Sequence, residues 1–225
     1  MERMEAHNSV ERLIEPGSKV LYLFFGGIQA GIGMPPFEFY KASGIINENK
    51  IFLRDFSQSW YHAGLHGISS DIDSTALYIE NVIDEIGPEK IYFVGNSMGG
   101  YAAMLFHVLL AKGEAIAFAP QTFISSELRE KYGDDRWPEQ ISRTLGLPAT
   151  KTEVHDLGEL ILKRKPACKI SIFVAGDNPL DLVHATHVRE CAGVHVYEFD
   201  AGGHQLVKEL RNEGKLAQIM LGQYV

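Results

Sequence analysis

The sequence contains only two cysteines, no run of basic residues and no long apolar run. Cys168 and Cys191 have neither C-x-x-C spacing nor the further cysteines of a disulfide framework, so we predict two reduced thiols. A net charge of −8 without a basic cluster argues against nucleic-acid binding. No stretch approaches the roughly 18 apolar residues of a membrane span. Residues 1–15 are charged and lack the apolar core of a signal peptide. These absences predict a cytoplasmic protein that binds neither nucleic acid nor membrane.

Sequence motifs for nucleotide cofactors and metals are also missing. Gly31-Ile32-Gly33 begins like G-x-G-x-x-G, but the third glycine position is Pro36, and the chain has no G-x-x-x-x-G-K-[ST]. His62 and His66 have i, i+4 spacing without the glutamate of H-E-x-x-H, and Gly64 separates them. We therefore expect neither a cofactor nor a metal.

The sequence does contain a regular alternation of short apolar runs and helical patterns. Six strands are predicted, at residues 20–25, 50–55, 90–94, 115–119, 170–175 and 194–199. Helical patterns lie between most of them, which indicates a parallel sheet with helices on both faces. The predicted fold class is therefore α/β: a three-layer α/β/α sandwich around a mainly parallel six-stranded sheet.

The length of 225 residues fits a single domain with one core. We predict that residues 19–123 and 167–225 form this core and that residues 1–18 are a leader that packs on the surface or frays. Segment 124–166 is more polar and contains Pro138 and Pro148. We predict that it forms a short helical cap insertion.

The most informative stretch is a strand, a serine motif and a helix in immediate succession. The strand is Ile91–Val94, the motif is Gly95-Asn96-Ser97-Met98-Gly99 and the apolar helical run is 101–110. The motif matches G-x-S-x-G, and this context is the one that a nucleophile elbow requires. The two glycines lack side chains, which lets the strand and the helix approach each other. We predict that Ser97 is a nucleophile. The alternative is a glycine-rich turn whose serine only caps the helix.

A serine nucleophile needs a base, and the base needs an orienting acid. His204 follows the sixth strand, behind two glycines that let the loop turn, and Asp177 directly follows the fifth strand. Ligands bind beyond the carboxyl ends of strands in such sheets, which is where both residues lie. Asp181 is a second candidate acid. It directly precedes an apolar helical run from Leu182, however, which favours an N-cap role. We therefore favour Asp177 as the acid.

The oxyanion of an acyl-transfer reaction needs N–H donors held in place. One is predicted to be the backbone N–H of Met98, directly after the nucleophile. The other should come from the loop after the first strand, where Gly27 is the first choice and Ile28 the second.

Four loops should shape the substrate pocket: 31–39, 56–66, 120–123 and the segment 124–166. The residues predicted to contact substrate are Ile28, Trp60, Tyr61, His62 and Gln121. A packed aromatic loop is an equally good interpretation for Trp60, Tyr61 and His62.

These motifs together resemble those of the α/β-hydrolase superfamily, in a minimal form that lacks its first two antiparallel strands. The resemblance covers residues 19–222 and is carried by Phe25-Gly26-Gly27, Gly95–Gly100 and Gly202-Gly203-His204. It implies the strand order 2-1-3-4-5-6 and a triad of Ser97, Asp177 and His204. The run Gly176–Asp181 is similar to that of small bacterial esterase-like members, in which the first Asp supplies the acid. Phe25-Gly26 replaces the His-Gly that many members carry at this point.

The predicted function is a serine hydrolase that cleaves a small ester, thioester or amide through a covalent acyl-enzyme. Two other classes stay open. One is an acyltransferase that uses the same triad, and the other is a non-catalytic ligand-binding protein on the same fold, which an intact triad disfavours. The predicted partner in each case is a small molecule. The superfamily fixes the chemistry better than the substrate, so the prediction names only this class of partner.

Overall fold

The structure is a computed structural model that describes residues 8–28, 37–148, 152–166 and 169–223. Cys168, the Gly31-Ile32-Gly33 motif and most of the predicted pocket loop 31–39 lie outside the described residues. Within the described ranges, no helix combines the length and the hydropathy that a bilayer crossing requires.

A seven-stranded sheet runs through the centre of the protein. Its strands are Val10–Leu13 (β1), Val20–Phe25 (β2), Asn49–Leu53 (β3), Lys90–Asn96 (β4), Glu114–Phe118 (β5), Ile170–Ala175 (β6) and Val194–Phe199 (β7). Their spatial order is β1-β3-β2-β4-β5-β6-β7, and all neighbours are parallel except β1 and β3. The six predicted strands and their predicted order are thus confirmed.

Strand β1 was not predicted, so the sheet has seven strands rather than six. Val10 pairs with Leu53 and Leu13 with Lys50 in antiparallel register. Arg12 on this strand also forms an ion pair with Glu85, at 2.7 Å between Nη2 and Oε1. An edge strand leaves a row of unpaired backbone N–H and C=O groups, and β1 covers that row on β3. Residues 10–13, within the segment 1–18 predicted as a leader that packs on the surface or frays, are therefore part of the sheet. The sheet thus has one antiparallel strand where the resemblance implied none.

Helices cover both faces of the sheet, as the sequence predicts. The α-helices are Ile72–Ile86 (α1), Met98–Leu110 (α2), Ser126–Tyr132 (α3), Pro138–Leu145 (α4), Leu157–Arg164 (α5), Pro179–Val188 (α6), Leu206–Asn212 (α7) and Lys215–Met220 (α8). One apolar core lies between the sheet and α1, α2, α5 and α6. A second lies on the opposite face, under α7, α8 and residues 37–46. The strands β2 and β4 are shared by both cores, which explains why they are apolar at almost every position.

Segment 124–166 has two parts with different packing. Helix α5 buries Leu157, Leu160 and Ile161 in the core beside α2. Helices α3 and α4 precede it, and the residues between them, Arg136 and Trp137, contact Asp181 and His204. Only α3 and α4 are thus candidates for a cap, because α5 belongs to the helical layer.

The turn between β4 and α2 brings backbone against backbone. Ser97 has φ 56° and ψ −121°, a conformation that non-glycine residues rarely adopt. A methyl group on Gly95 would overlap the backbone carbonyl of Gly99, and one on Gly99 would overlap the carbonyl of Phe25 at the end of β2. The absence of side chains at both glycines therefore allows the elbow to form.

We expect Gly99→Ala to destabilise the protein by about 3 kcal/mol, because the new methyl group can be accommodated only by moving the backbone of β2 or α2. The matched control is Gly44→Ala, since a methyl group there meets nothing within 4 Å. Urea unfolding followed by circular dichroism measures both variants. Equal midpoints for the two would contradict the close packing at the elbow.

Candidate active site

Ser97 lies at the tip of the elbow and is hydrogen-bonded on two sides. It is 5% exposed, and its Oγ lies 2.9 Å from His204 Nε2 and 2.9 Å from Gln121 Nε2. An amide nitrogen only donates, so Oγ accepts from Gln121 and its own proton points to His204. Its strained backbone is held by burial on all sides, a pattern that is common at functional sites.

Asp181 orients the histidine. His204 Nδ1 lies 3.0 Å from Asp181 Oδ1 and 2.9 Å from Oδ2. An ionised carboxylate only accepts, so Nδ1 carries the proton and Nε2 is left to accept the proton of Ser97. The three side chains therefore have the hydrogen-bonding pattern of a serine triad.

The prediction that Asp177 contacts His204 is not met, because Asp181 occupies that position. Asp177 instead accepts from the backbone N–H groups of Gly202, at 3.2 Å, and Gly203, at 2.9 Å. It thereby shapes the loop that carries His204 without touching the imidazole. Asp181 is not the N-cap that the sequence favours either. Helix α6 begins at Pro179, and the side chain of Asn178 caps it by accepting from the backbone N–H of Asp181.

Arg136, in the loop between α3 and α4, forms an ion pair with the same carboxylate. Its Nη1 lies 2.7 Å from Asp181 Oδ1. Its Nε lies 2.9 Å from Asp134 Oδ1, and its Nη2 lies 2.9 Å from Asp134 Oδ2. Burial alone would raise the pKa of Asp181. The hydrogen bond and charge of His204, together with those of Arg136, outweigh it and hold that pKa below its ordinary value. Asp181 thus stays ionised although its side chain is fully buried.

A buried histidine completes this polar cluster. The backbone N–H of Thr122 donates to His184 Nδ1 at 3.0 Å, so the ring proton is on Nε2, which donates to Asp134 at 2.9 Å. Burial lowers the pKa of His184 despite the opposing effect of Asp134. His184 is therefore a neutral donor. Asp134 and Arg136 both lie in the loop between α3 and α4, whereas His184 lies on α6. The hydrogen bond from His184 to Asp134 therefore links this loop to α6.

A carboxyl group that was not predicted contacts the predicted oxyanion loop after β2. The N–H of Gly27 donates to Glu38 Oε2 at 2.8 Å, and the side-chain amide of Asn96 donates to Oε1 at 3.0 Å. Burial raises the pKa of Glu38 to about 7, although these two hydrogen bonds and the charge of His204 oppose the rise. In this structure the Gly27 N–H is therefore occupied. Met98 is the first residue of α2, and an amide at that position has no acceptor within its own helix.

Of the four predicted substrate contacts outside the oxyanion loop, only Gln121 touches the triad. The indole N–H of Trp60 donates to Gln121 Oε1 at 3.2 Å. The hydroxyl of Tyr61 donates to backbone carbonyls, and His62 pairs with the hydroxyl of Tyr101 at 3.0 Å. Tyr61 and His62 are buried in the core, which favours the packed aromatic loop over substrate binding for these two residues. Trp137 also lies beside the site, with its ring centroid 5.5 Å from that of His204.

Glu38, Arg136 and Trp137 were missed by the sequence analysis. Each has at least one partner in the site that is distant in sequence, such as Asn96 for Glu38, Asp181 for Arg136 and His204 for Trp137. None of the three belongs to a motif with fixed spacing. The run Asp134-Asp135-Arg136 reads as an ordinary solvated turn. The one local signal was the polarity of the insertion, which places it near solvent and gives no indication of a buried ion cluster.

No protein-family model and no curated protein sequence matches this chain. Solved structures do match it. The capsule O-acetyltransferase of Neisseria meningitidis serogroup A superposes with a TM-score of 0.70 at 16% identity, over 93% of this chain and 91% of the other. A fluorophosphonate-binding serine hydrolase of Staphylococcus aureus gives 0.60 at 14% identity, over 92% and 85%. The monoacylglycerol lipase of Paleococcus ferrophilus gives 0.57 at 14% identity, over 94% and 96%.

Sequence identities this low establish the fold and leave the reaction to be argued from the site. In this chain the fold consists of a mainly parallel sheet with one antiparallel edge strand, a strained serine between β4 and α2, and helices on both faces. The chain is therefore an α/β-hydrolase-fold protein.

Proposed function

We propose that this protein is a serine hydrolase that cleaves a small ester, thioester or amide through an acyl-enzyme on Ser97. The observation that carries the proposal is the hydrogen-bonded series from Asp181 through His204 to Ser97, with each contact at 2.9 to 3.0 Å. A histidine that served only as a hydrogen-bond partner for a serine would not need a carboxylate on its other nitrogen. It would also not need the serine in a strained elbow.

The proposed reaction has two steps. His204 Nε2 takes the proton of Ser97 as Oγ attacks the substrate carbonyl, and it then gives that proton to the leaving group. Water, deprotonated by the same nitrogen, next attacks the acyl-enzyme and releases the acid. Asp181 stays ionised throughout and stabilises the imidazolium that forms twice in each cycle. Arg136 supports this role by keeping the carboxylate charged and fixed.

The proposed oxyanion hole consists of the N–H groups of Met98 and Ile28. The Gly27 N–H was the first choice from the sequence, but it donates to Glu38. Ile28 supplies the next amide of the same loop, and it was the second choice. The carboxyl group of Glu38 bridges Gly27 and Asn96, which holds the loop against the elbow.

Acyl transfer to a hydroxyl acceptor is the second candidate. It is supported by the likeness to an O-acetyltransferase over nearly the full length of both chains, although identity is only 16%. The two reactions share the first step and differ only in whether water or an acceptor attacks the acyl-enzyme. The described residues around Ser97 fit either reaction.

We expect a fluorophosphonate to form one covalent adduct on Ser97, because such a probe reacts only with an activated hydroxyl. Intact mass and peptide mapping locate it. Ser97→Ala should gain no adduct, and His204→Ala should react far more slowly while remaining folded. A folded wild type that stays unlabelled beside a labelled control esterase, and that is also inert toward p-nitrophenyl acetate, would refute the proposed function.

Asp181→Asn should lower kcat by about 10⁴-fold, because an amide at this position favours the wrong imidazole tautomer. The matched variant is Asp177→Asn, which loses two exposed hydrogen bonds to the His204 loop and should cost about 1 kcal/mol of stability with little change in kcat. Steady-state kinetics with a p-nitrophenyl ester and thermal melts measure both. The opposite pattern would restore Asp177 as the acid.

Adding acceptors during turnover of an acetyl ester distinguishes hydrolysis from transfer. For a hydrolase, we expect mono- and disaccharides to leave the rate of acetate release unchanged. For a transferase, acetate release should fall while the ester is consumed at the same rate or faster, and mass spectrometry should show the acetylated acceptor. Product analysis with Ser97→Ala controls for transfer without enzyme.

A further inference from the structure

The amide of Gln121 has a fixed orientation beside the nucleophile. The indole nitrogen of Trp60 can only donate, so the atom that it contacts must be the amide oxygen. The NH₂ group is then the one that faces Ser97, at 2.9 Å from Oγ. This assignment removes the usual ambiguity between the two ends of a glutamine side chain. Gln121 is 1% exposed and Trp60 is fully buried, so neither contact exchanges readily with water.

The loop that carries Trp60 is held in an unusual shape. Trp60 and Tyr61 have φ angles of 52° and 64°, in the left-handed region. The buried carboxylate of Asp55 holds them there, because it accepts from the backbone N–H groups of Ser59 at 2.6 Å and of Tyr61 at 2.9 Å. Strained backbone of this kind persists only where the surroundings over-determine it. Its consequence here is that the indole N–H points at Gln121.

We infer that Gln121 is a catalytic residue, whose amide stabilises Ser97 Oγ as the leaving group when the acyl-enzyme breaks down. Trp60 is the positioning residue that aims this amide. The inference rests on the proposed function, since it needs an acyl group on Ser97. It replaces the substrate-binding role predicted for both residues from the sequence.

The reason lies in how the charge on Oγ changes during the reaction. In the free enzyme Oγ belongs to a hydroxyl and already accepts from Gln121, so this hydrogen bond offers little differential stabilisation of the first step. In the acyl-enzyme Oγ is an ester oxygen, which is a poorer acceptor. As that ester breaks, Oγ gains negative charge and the hydrogen bond strengthens. Only interactions that strengthen toward the transition state accelerate a step.

The atoms and electrons of this step balance without any added reactant. His204 Nε2 takes a proton from water, and the water oxygen forms a bond to the acyl carbon. The bond from that carbon to Oγ then breaks, and its electron pair goes to Oγ. The imidazolium of His204 returns the proton to Oγ. Until it does, the hydrogen bond from Gln121 stabilises the negative charge on Oγ.

The test separates the two steps by stopped-flow kinetics with p-nitrophenyl acetate. In Gln121→Leu we expect deacylation to slow by about 100-fold, the size of effect seen when one preorganised donor is removed. Acylation should change only a few-fold. The variant should therefore show a burst of p-nitrophenol close to one equivalent, and intact mass should show an accumulated acetyl-enzyme. The matched control is Gln218→Leu, which makes the same change at an exposed position on α8.

Trp60→Phe gives a second, independent test. It keeps an aromatic ring in the loop but removes the indole N–H, so the amide of Gln121 loses its fixed orientation. We expect a smaller slowing of the same step, with the same accumulation of acetyl-enzyme. This variant also carries the test if Gln121→Leu fails to fold, which circular dichroism and a thermal melt would show.

Two outcomes would overturn the inference while leaving the proposed function intact. One is a Gln121→Leu variant that raises KM with kcat unchanged, which would mean substrate binding. The other is an equal loss in acylation and deacylation, which would mean a structural role. Failure of the proposed function is recognised separately, because the wild type itself would then form neither a fluorophosphonate adduct nor an acetyl-enzyme.

Discussion

The buried carboxylate of Asp181 is the interaction on which the site depends. It accepts from His204 on one side and from Arg136 on the other, so it joins α6, the loop after β7 and the turn between α3 and α4. A carboxylate taken out of water is costly unless its charge is compensated. The insertion supplies that compensation through Arg136. Asp134 holds Arg136 in place, and His184 holds Asp134. The segment between α3 and α4 therefore supports the proposed triad, besides being a candidate cover for the pocket.

Backbone strain is concentrated around the same point. Ser97, Trp60 and Trp137 all have positive φ angles, at 56°, 52° and 51°. Trp60 reaches Ser97 through Gln121, and Trp137 lies beside the ring of His204. Each such residue costs free energy that the surrounding packing must offset. The fold therefore uses part of its core stability to fix the directions of a few side chains around one oxygen atom.

Glu38 adds a titratable group beside the loop that we propose to contribute to the oxyanion hole. Its pKa of about 7 means that the carboxyl changes its charge near neutral pH. The ionised form interacts favourably with the charge of a protonated His204. It would interact unfavourably with the negative charge of the proposed oxyanion, because like charges repel. Its hydrogen bonds to Gly27 and Asn96 fix the loop in either case.

The sequence by itself predicted the six main strands, the turn at Ser97 and the position of His204 after the last strand. These features depend on local patterns: apolar runs, glycines at a sharp turn and the position of a residue after its strand. The order of the strands came instead from the resemblance to a known superfamily. Only the tertiary structure decided between Asp177 and Asp181. They are four residues apart, and the choice depends on α6 beginning at Pro179, which turns Asp181 toward the histidine and leaves Asp177 on the glycine loop. Arg136 and Glu38 could not be predicted either, because their partners lie 45 and 11 residues away and no periodic pattern records such a contact.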